Sequence, residues 1–246
     1  AACKGIFHSD MTHGDTVTEA VFTKYNNTYH YVTVSMTAKQ MADSIFVVVY
    51  DENGNEVSNV YETSIRAYAM KALASTTATA EMKTLAVDML NYGAAAQDYF
   101  GYNTADLANN QLSEAQKALA TKEAKATNSR VSNENYLGTN LRLESRIQLR
   151  MAFKNITDDM YATIEFTSHT GSKVSWTVPA SQMEQDVVVC VDQMVVADGR
   201  VPVTVTVYNA DGTVHGTVTD SVESYCARAG ESALNEAIMK FAYSAK

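Results

Sequence analysis

The chain has 246 residues, of which 46% are hydrophobic and 19% are charged, and its formal net charge is -9 at pH 7. This length can bury one large core or two smaller ones, and the balanced composition excludes a chain that is disordered throughout. The negative charge, with no basic cluster to offset it, argues against a nucleic-acid partner, and no apolar run approaches the about 20 residues of a membrane span. We therefore expect a soluble protein without membrane insertion.

The first predicted elements are β-strands between residue 16 and about residue 61. The segments TEAVFTKY, TYHYVTVSM and SIFVVVYDENGN are rich in Thr, Val and Tyr and are separated by Asn and Gly turn signals. The turn DENGN contains oxygen ligands of the kind that calcium uses, but a hairpin turn accounts for the same residues. We expect a β region here.

A helical period follows the strands. A first helix begins after Ser64 or Thr63 as N-cap, and its apolar stripe is formed by Ile65, Tyr68, Ala69, Ala72 and Leu73. A second helix begins at about Thr79. Its predicted inner face consists of Met82, Leu85, Ala86, Met89, Leu90 and Gly93. In SEAQKALATKEAK, Ser113 and Gln116 form a capping box that predicts a third helix, polar enough to lie on the surface.

The second predicted helix contains the segment MLNYGAAAQ, in which one Gly and three Ala follow each other. Small residues let another backbone approach the helix closely, whereas catalysis would require polar groups at these positions. The segment therefore predicts close packing of this helix rather than a catalytic site.

Residues 126–139 carry turn formers without periodicity, and we place a boundary there between a lobe of residues 1–130 and a lobe of residues 131–246. In the second lobe LRLESRIQLRMAF alternates with a period of two, which predicts one strand with a wet face. Further strands are predicted at YATIEFTS, KVSWTVPA, DVVVCVDQM and VPVTVTVYNADG, and a helix at ALNEAIMKFAYSAK.

The two lobes resemble each other in sequence. Residues 31–54 align without gaps on residues 189–212, which matches Tyr50 with Tyr208 and Gly54 with Gly212. TSIRAYAMKA then aligns with DSVESYCARA, and LAVDMLNYGAAAQ with LNEAIMKFAYSAK. The pattern predicts an internal duplication. The expected fold class is α+β, with two related lobes that each consist of an antiparallel β-sheet or sandwich followed by packed α-helices.

Motifs for catalysis or cofactor binding are absent from the sequence. It contains no nucleophile elbow, no HExxH helix, no phosphate loop and no dinucleotide fingerprint, so we expect a non-enzyme with no cofactor. His8, Asp10 and His13 group potential metal ligands, although a solvated loop explains them as well. Cys3, Cys190 and Cys226 have neither zinc-site spacing nor a disulfide pattern, and we interpret them as small apolar residues.

Two groups of residues have the chemistry of a sugar-binding surface. Sugar rings present an apolar face and a rim of hydroxyls, so their sites combine an aromatic plane with polar side chains at its edge. One group lies at the first predicted hairpin and consists of Tyr25, Asn26, Asn27, Tyr29, His30 and Tyr31. The other combines Trp176, the single Trp, with His169 and Lys173. Ordinary strand packing and ligand binding are both open for each group.

The segments YETSIRAYAMKAL, AVDMLNYGAAAQDYFGYNTADLAN and LRLESRIQLRMAF carry a resemblance to a known kind of module. The chain resembles modules of large secreted, often dockerin-bearing proteins of fibre-degrading gut bacteria. Its two-lobed form is most similar to the starch-binding domains of the starch adherence system, which are associated with the amylosome. The quoted segments are mostly helix-packing residues, so no ligand-contact residue is carried over from the resemblance.

The resemblance implies a non-catalytic module that is secreted or attached to the cell surface. It would bind α-1,4-linked glucan, such as starch, amylopectin or maltooligosaccharides, in a groove between two lobes, alongside other modules of a larger complex. One alternative is a structural or protein-interaction module of a secreted bacterial cell-surface protein, and another is a glycan hydrolase whose site has no recognisable motif.

Overall fold

A computed structural model describes residues 4–8, 17–27 and 29–246 of the chain, with side chains for residues 22–27 and 29–246. The expected mixture of helices and antiparallel sheets is confirmed. The strands are β1 (Lys4–His8), β2 (Val17–Val21), β3 (Thr23–Lys24), β4 (His30–Tyr31), β5 (Ile45–Tyr50), β6 (Tyr61–Thr63), β7 (Val131–Ser132), β8 (Tyr136–Leu143), β9 (Ile147–Phe153), β10 (Tyr161–Thr167), β11 (Lys173–Pro179), β12 (Val188–Val191), β13 (Val203–Tyr208) and β14 (Val214–Asp220). The helices are α1 (Ile65–Ala74), α2 (Ala80–Phe100), α3 (Glu114–Lys117), α4 (Val222–Ala229) and α5 (Ala233–Ser244).

The strands form four sheets among the described residues. The first half contains the order β2-β1-β5-β6 and the separate pair β3-β4, and the second half contains the orders β11-β10-β13-β14-β7 and β12-β9-β8. All strand pairs are antiparallel, as hairpin and meander connections require.

Four strands follow each other in the same spatial order in the two halves. Strands β2-β1-β5-β6 correspond to β11-β10-β13-β14, and the register Lys4↔Tyr50 recurs as Tyr161↔Tyr208. The turns after β5 and β13 also agree, because Gly54 and Gly212 both have a φ of 82°. Such a left-handed backbone favours glycine at both positions.

Side-chain caps begin the four longer helices. Ser64, Thr79, Ser221 and Ser232 each accept a hydrogen bond from a backbone N–H in the first turn of α1, α2, α4 and α5. Gly101, in the left-handed conformation, ends α2. The caps predicted at Ser64 and Thr79 are therefore present.

Helix α2 packs closely against its neighbours through the predicted small residues. A Cβ added at Gly93 would lie 2.8 Å from Met41 Sδ and 3.0 Å from Ala108 Cβ. Helix α2 also contacts α5, and buried side chains of both halves, such as Leu90 and Ile238, join one core cluster. The predicted architectural role of the Gly and Ala run agrees with this packing.

Several sequence predictions for the helices are wrong in detail. The capping box of Ser113 and Gln116 forms, but the helix that it starts ends after four residues. Met82 and Tyr68, which were expected on inner faces, are exposed. Their positions match the helical period, but no element among the described residues covers those parts of α2 and α1.

The strand predictions also need correction. The segment 141–153 is a hairpin of β8 and β9 rather than one strand, because residues 144–146 turn the chain. The boundary segment 126–139 contains β7 and the start of β8. Of the described residues in the strand predicted at 28–36, only His30 and Tyr31 have strand pairing.

Candidate functional site

A short hairpin carries most of the predicted sugar-binding residues. It comprises residues 23–27 and 29–31 of the described chain, and we call it the tyrosine hairpin. Thr23 pairs with Tyr31, and the N–H of Tyr25 donates to the carbonyl of Tyr29 at 2.9 Å. The N–H of Tyr29 also donates to Asn26 Oδ1 at 2.8 Å, so the Asn side chain stabilises the turn as short polar side chains commonly do.

The tyrosine hairpin presents its aromatic rings to solvent. Tyr25, Tyr29 and Tyr31 are 74%, 65% and 49% exposed. The polar members of the group, Asn26, Asn27 and His30, are exposed as well. The structure therefore brings all six residues of the first predicted group onto one small element, where aromatic faces lie beside hydrogen-bonding side chains.

Trp176 is partly buried and packs against the core. It lies on β11 and shares the inward face with Val174 and Val178, which also pack against the buried cluster. Its ring meets that of Phe166 edge-on, with centroids 6.3 Å apart. Lys173 is exposed on the opposite face of the same strand, so the two side chains do not form one site.

His169 has a structural partner. Its backbone N–H donates to Asp198 Oδ1 at 2.8 Å, and its Nδ1 lies 2.8 Å from the same oxygen. Burial of Asp198 acts to raise the pKa of its carboxyl, but the hydrogen bonds from His169 and from the Val195 N–H outweigh this and lower it. His169 thus fastens the β10–β11 turn to residues 195–198.

A cavity of about 280 Å³ lies between the two halves; the resemblance to starch-binding domains implies a groove between two lobes. Thr37, Lys39 and Phe100 line it from the first half, and residues 141–144 and Arg150 line it from the second. Lys39 Nζ lies 5.2 Å from the centre of the exposed Phe100 ring. Phe100 was not among the predicted site residues, although its position at the end of an amphipathic helix is a usable signal.

Charged side chains fix the second-half wall of this cavity. Glu184 accepts two hydrogen bonds from Arg142, one of them 2.6 Å long, and a third from Arg150. The Arg142 guanidinium, helped by Arg150, holds the pKa of Glu184 at about 2. The carboxylate is therefore ionised throughout the neutral range and holds both arginines in place.

A larger cleft of about 840 Å³ separates residues 122–126 from α4 and α5. Its floor is apolar, with Ala124, Cys226 and Met239, and lysines and glutamates form its rim. Burial raises the pKa of Cys226 to about 12, so this sulfur stays a thiol rather than a nucleophilic thiolate. The described residues that line the cleft include no aromatic ring.

The described residues form no cluster of metal-binding side chains. No three His, Cys, Asp or Glu side chains come together among them in a metal-binding group. Tyr102 donates a hydrogen bond to Asp43 at 2.6 Å, which raises the pKa of Tyr102 to about 12. Cys3 and the group of His8, Asp10 and His13 lie outside the described side chains.

No helix in the described part of the chain is long and apolar enough to cross a membrane.

Comparison with known proteins gives no further assignment. No protein-family model matches the chain, and neither a curated protein nor a solved structure is significantly similar to it.

Proposed function

We propose that the chain is a non-catalytic module that binds α-1,4-linked glucan and that the tyrosine hairpin is its main contact surface. The observation that carries the proposal is the exposure of Tyr25, Tyr29 and Tyr31 beside Asn26, Asn27 and His30. An aromatic ring that packs inside a sheet loses its contact with water, whereas these tyrosines retain between about half and three quarters of their exposure. The resemblance to starch-binding domains of secreted gut-bacterial proteins supports the same ligand and a location outside the cell.

The hairpin has the features that a repetitive ligand requires. A glucan presents one sugar ring after another, and each ring that stacks on a tyrosine contributes about 1 kcal/mol. The exposed side chains of Asn27 and His30 would bind the hydroxyls at the edge of the sugar rings. Affinity therefore increases with the number of sugar units until the aromatic platform is covered.

Phe100 would provide a second contact at the cavity between the halves. This cavity is smaller than typical small-ligand pockets, which measure about 300–1,000 Å³. We therefore place the main contact on the hairpin, and the groove between the halves would take only the neighbouring part of a longer glucan.

An internal duplication is part of the proposal for the fold. The common strand order, the recurring registers and the paired turns at Gly54 and Gly212 support it. One backbone hydrogen bond also recurs at aligned positions. In the first half the Arg66 N–H donates to the Met41 carbonyl, and in the second half the Glu223 N–H donates to the Gly199 carbonyl, each at 2.9 Å. The aromatic surface is not duplicated, because every exposed aromatic among the described side chains precedes residue 101.

Affinity electrophoresis tests the proposed function. The protein is run in native gels that contain amylopectin, pullulan, xylan or mucin, and calorimetry with maltooligosaccharides of increasing length follows. We expect retardation in amylopectin without release of reducing ends. Free migration in every gel would contradict glucan binding, and release of reducing ends would indicate a hydrolase.

Two variants locate the contact. Tyr25→Ala combined with Tyr29→Ala removes two exposed rings of the hairpin, and Tyr68→Ala removes a ring of similar exposure, 70%, on helix α1. We expect the double variant to lose retardation in amylopectin and the Tyr68 variant to keep it. Equal retardation of both variants would exclude the hairpin as the contact surface.

A further inference from the structure

The walls of the cavity between the halves carry more positive than negative charge. Lys39 lines it from the first half, and Arg142 and Arg150 line it from the second. Two carboxylates accompany them, Glu144 on the wall itself and Glu184, which pairs with both arginines. Among the described residues one positive charge is therefore in excess here, although the net charge of the whole chain is -9.

Lys39 is the cation of this group that has no carboxylate partner. Its ammonium makes no ion pair with a described residue and lies over two aromatic rings, 5.2 Å from the centre of Phe100 and 5.1 Å from that of Tyr102. The carboxyl of Asp43 accepts a hydrogen bond from Tyr102 and does not line the cavity. Because contact with an aromatic face leaves the N–H donors of the ammonium free, Lys39 can still bind an anion.

The two arginines keep donors that Glu184 does not use. A guanidinium has five N–H donors, and Glu184 accepts from two nitrogens of Arg142 and from one of Arg150. Arg150 Nε is buried and has no hydrogen-bond partner. Glu184 thus fixes both guanidinium groups at the wall and leaves N–H donors for a further acceptor.

An exposed aromatic ring lies beside these cations. Phe100 is 46% exposed and lines the same cavity, together with Leu141 and Leu143. An aromatic face next to charged donors suits a ligand that has both an apolar face and an anionic group. A sugar ring that carries a carboxylate combines the two.

Charge and volume restrict the anion further. A carboxylate carries one negative charge, which equals the excess on the wall, whereas a phosphate ester carries about 1.5–2 at neutral pH. The cavity of about 280 Å³ lies below the range of typical small-ligand pockets, so it suits one sugar unit better than a segment of several. Both limits favour a single uronic acid unit.

We propose that the cavity between the halves binds a uronic acid unit of an acidic glycan, with its carboxylate on Lys39 and the two arginines and its ring on Phe100. A neutral glucose unit at the same place would leave the excess charge uncompensated. The ligand is a charged sugar at a separate surface, so the proposal goes beyond glucan binding by the tyrosine hairpin and does not depend on it.

Two monosaccharides that differ in one group test this proposal. Methyl glucuronide and methyl glucoside have the same ring, and only the first has a carboxylate. Titrations of the full chain followed by ¹H–¹⁵N NMR measure both affinities and map the contact. We expect the glucuronide to bind about tenfold more tightly or better, and less tightly at high salt, because salt screens partly exposed charges. The shifted amides should lie in residues 37–39, 100 and 141–150.

Matched lysine variants locate the carboxylate. Lys39→Met removes the ammonium and keeps an unbranched side chain, and Lys83→Met makes the same change at another partly buried lysine, which does not line the cavity. We expect Lys39→Met to bind the glucuronide no better than the glucoside and Lys83→Met to behave like wild type, with equal melting temperatures. Phe100→Ala should weaken the binding of both sugars, because both stack on the ring.

Several outcomes would overturn the proposal. Equal affinities for the two sugars, or unchanged glucuronide binding by Lys39→Met, would show that the cavity does not recognise the carboxylate. Inorganic phosphate that binds as tightly as the glucuronide would indicate an adventitious ion only, and tighter binding of glucose 6-phosphate would assign the cavity to a phosphate ester.

The variant with Tyr25→Ala and Tyr29→Ala separates this proposal from glucan binding by the hairpin. We expect it to bind the glucuronide like wild type, whether or not its retardation in amylopectin is lost. Loss of glucuronide binding in this variant would place the charged sugar on the hairpin and contradict the cavity as its site.

Discussion

The ring of Tyr92 on α2 stacks on the ring of Phe241 on α5, with centroids 5.6 Å apart and an angle of 29° between the planes. The alignment of LAVDMLNYGAAAQ with LNEAIMKFAYSAK places Tyr92 on Phe241, so corresponding residues of the two halves meet each other. Contacts between equivalent residues are characteristic of a twofold arrangement. Tyr92 carries a hydroxyl group that Phe241 lacks, and this hydroxyl is buried without a hydrogen-bond partner.

Tyr92→Phe is expected to stabilise the protein. An unpaired buried hydroxyl costs about 1–3 kcal/mol, and its removal leaves a ring like that of Phe241, so we expect a gain of about 1 kcal/mol in the free energy of unfolding. Urea denaturation measures this gain. Tyr68→Phe, which changes an exposed ring, serves as control and should have no effect. A loss of stability in the Tyr92 variant would show that the hydroxyl has a favourable partner.

Gly93→Ala is expected to destabilise the protein. The added methyl group would overlap Met41 and Ala108, and overpacking of this kind costs about 1–3 kcal/mol, which exceeds the gain of about 1 kcal/mol in helix propensity. The control is Gly138→Ala, because a Cβ there meets no atom within 4 Å. Thermal unfolding compares the two variants, and an unchanged or raised melting temperature for Gly93→Ala would contradict the close helix packing.

Trp176→Ala and Tyr29→Ala separate a core position from a surface position. We expect the Trp176 variant to lose about 3 kcal/mol of unfolding free energy while the folded fraction keeps its glucan binding. The Tyr29 variant should change stability by no more than about 0.5 kcal/mol and weaken glucan binding. Urea unfolding and amylopectin gels measure the two effects. If the Trp176 variant instead lost glucan binding without losing stability, Trp176 would be a ligand-contact residue.

Glu184→Gln is expected to lower stability at neutral pH and to change its pH dependence. The folded-state pKa of about 2 lies below the ordinary value of 4.5, so the carboxylate stabilises the fold above pH 4.5 and loses this contribution as the pH falls toward 2. We expect a loss of about 1–2 kcal/mol at pH 7, because both arginines lose their charged acceptor.

Denaturation of wild type and variant between pH 7 and pH 2 measures the pH dependence. The stability difference should shrink across this window and be small at pH 2. Glu144→Gln, in the exposed turn between β8 and β9, is the matched control and should behave like wild type. A difference that stays constant with pH would assign the effect to packing rather than to charge.

The local elements could be predicted from the sequence because their signals are local. Ser64 and Thr79 cap α1 and α2 as predicted, and strands β10, β11 and β13 lie where the period of two and the β-branched residues placed them. The turn in the middle of LRLESRIQLRMAF was missed, since Glu, Ser and Arg continue the alternation without a Gly or Pro. The length of α3 was missed because a capping box specifies a beginning but not an end.

The candidate site was only half predictable. The exposed tyrosine hairpin combines all six residues of the first group. In the second group, Trp176 packs against the core, His169 contacts Asp198, and Lys173 is exposed to solvent. The same alternation of Val and Trp on β11 fits a wet or a dry face, and only the packing against Phe166 shows that this face is inward.

The sequence by itself determined the alternation of strands and helices, their caps and turns, and the likeness between residues 31–54 and 189–212, because each depends on side chains within a few residues of one another. The tertiary structure alone decided which of the corresponding faces is buried. Tyr31 and Val189 align with each other, and only Val189, on the strand that pairs with β9, is buried. Burial depends on which distant segment packs there, and a local sequence pattern does not contain that information.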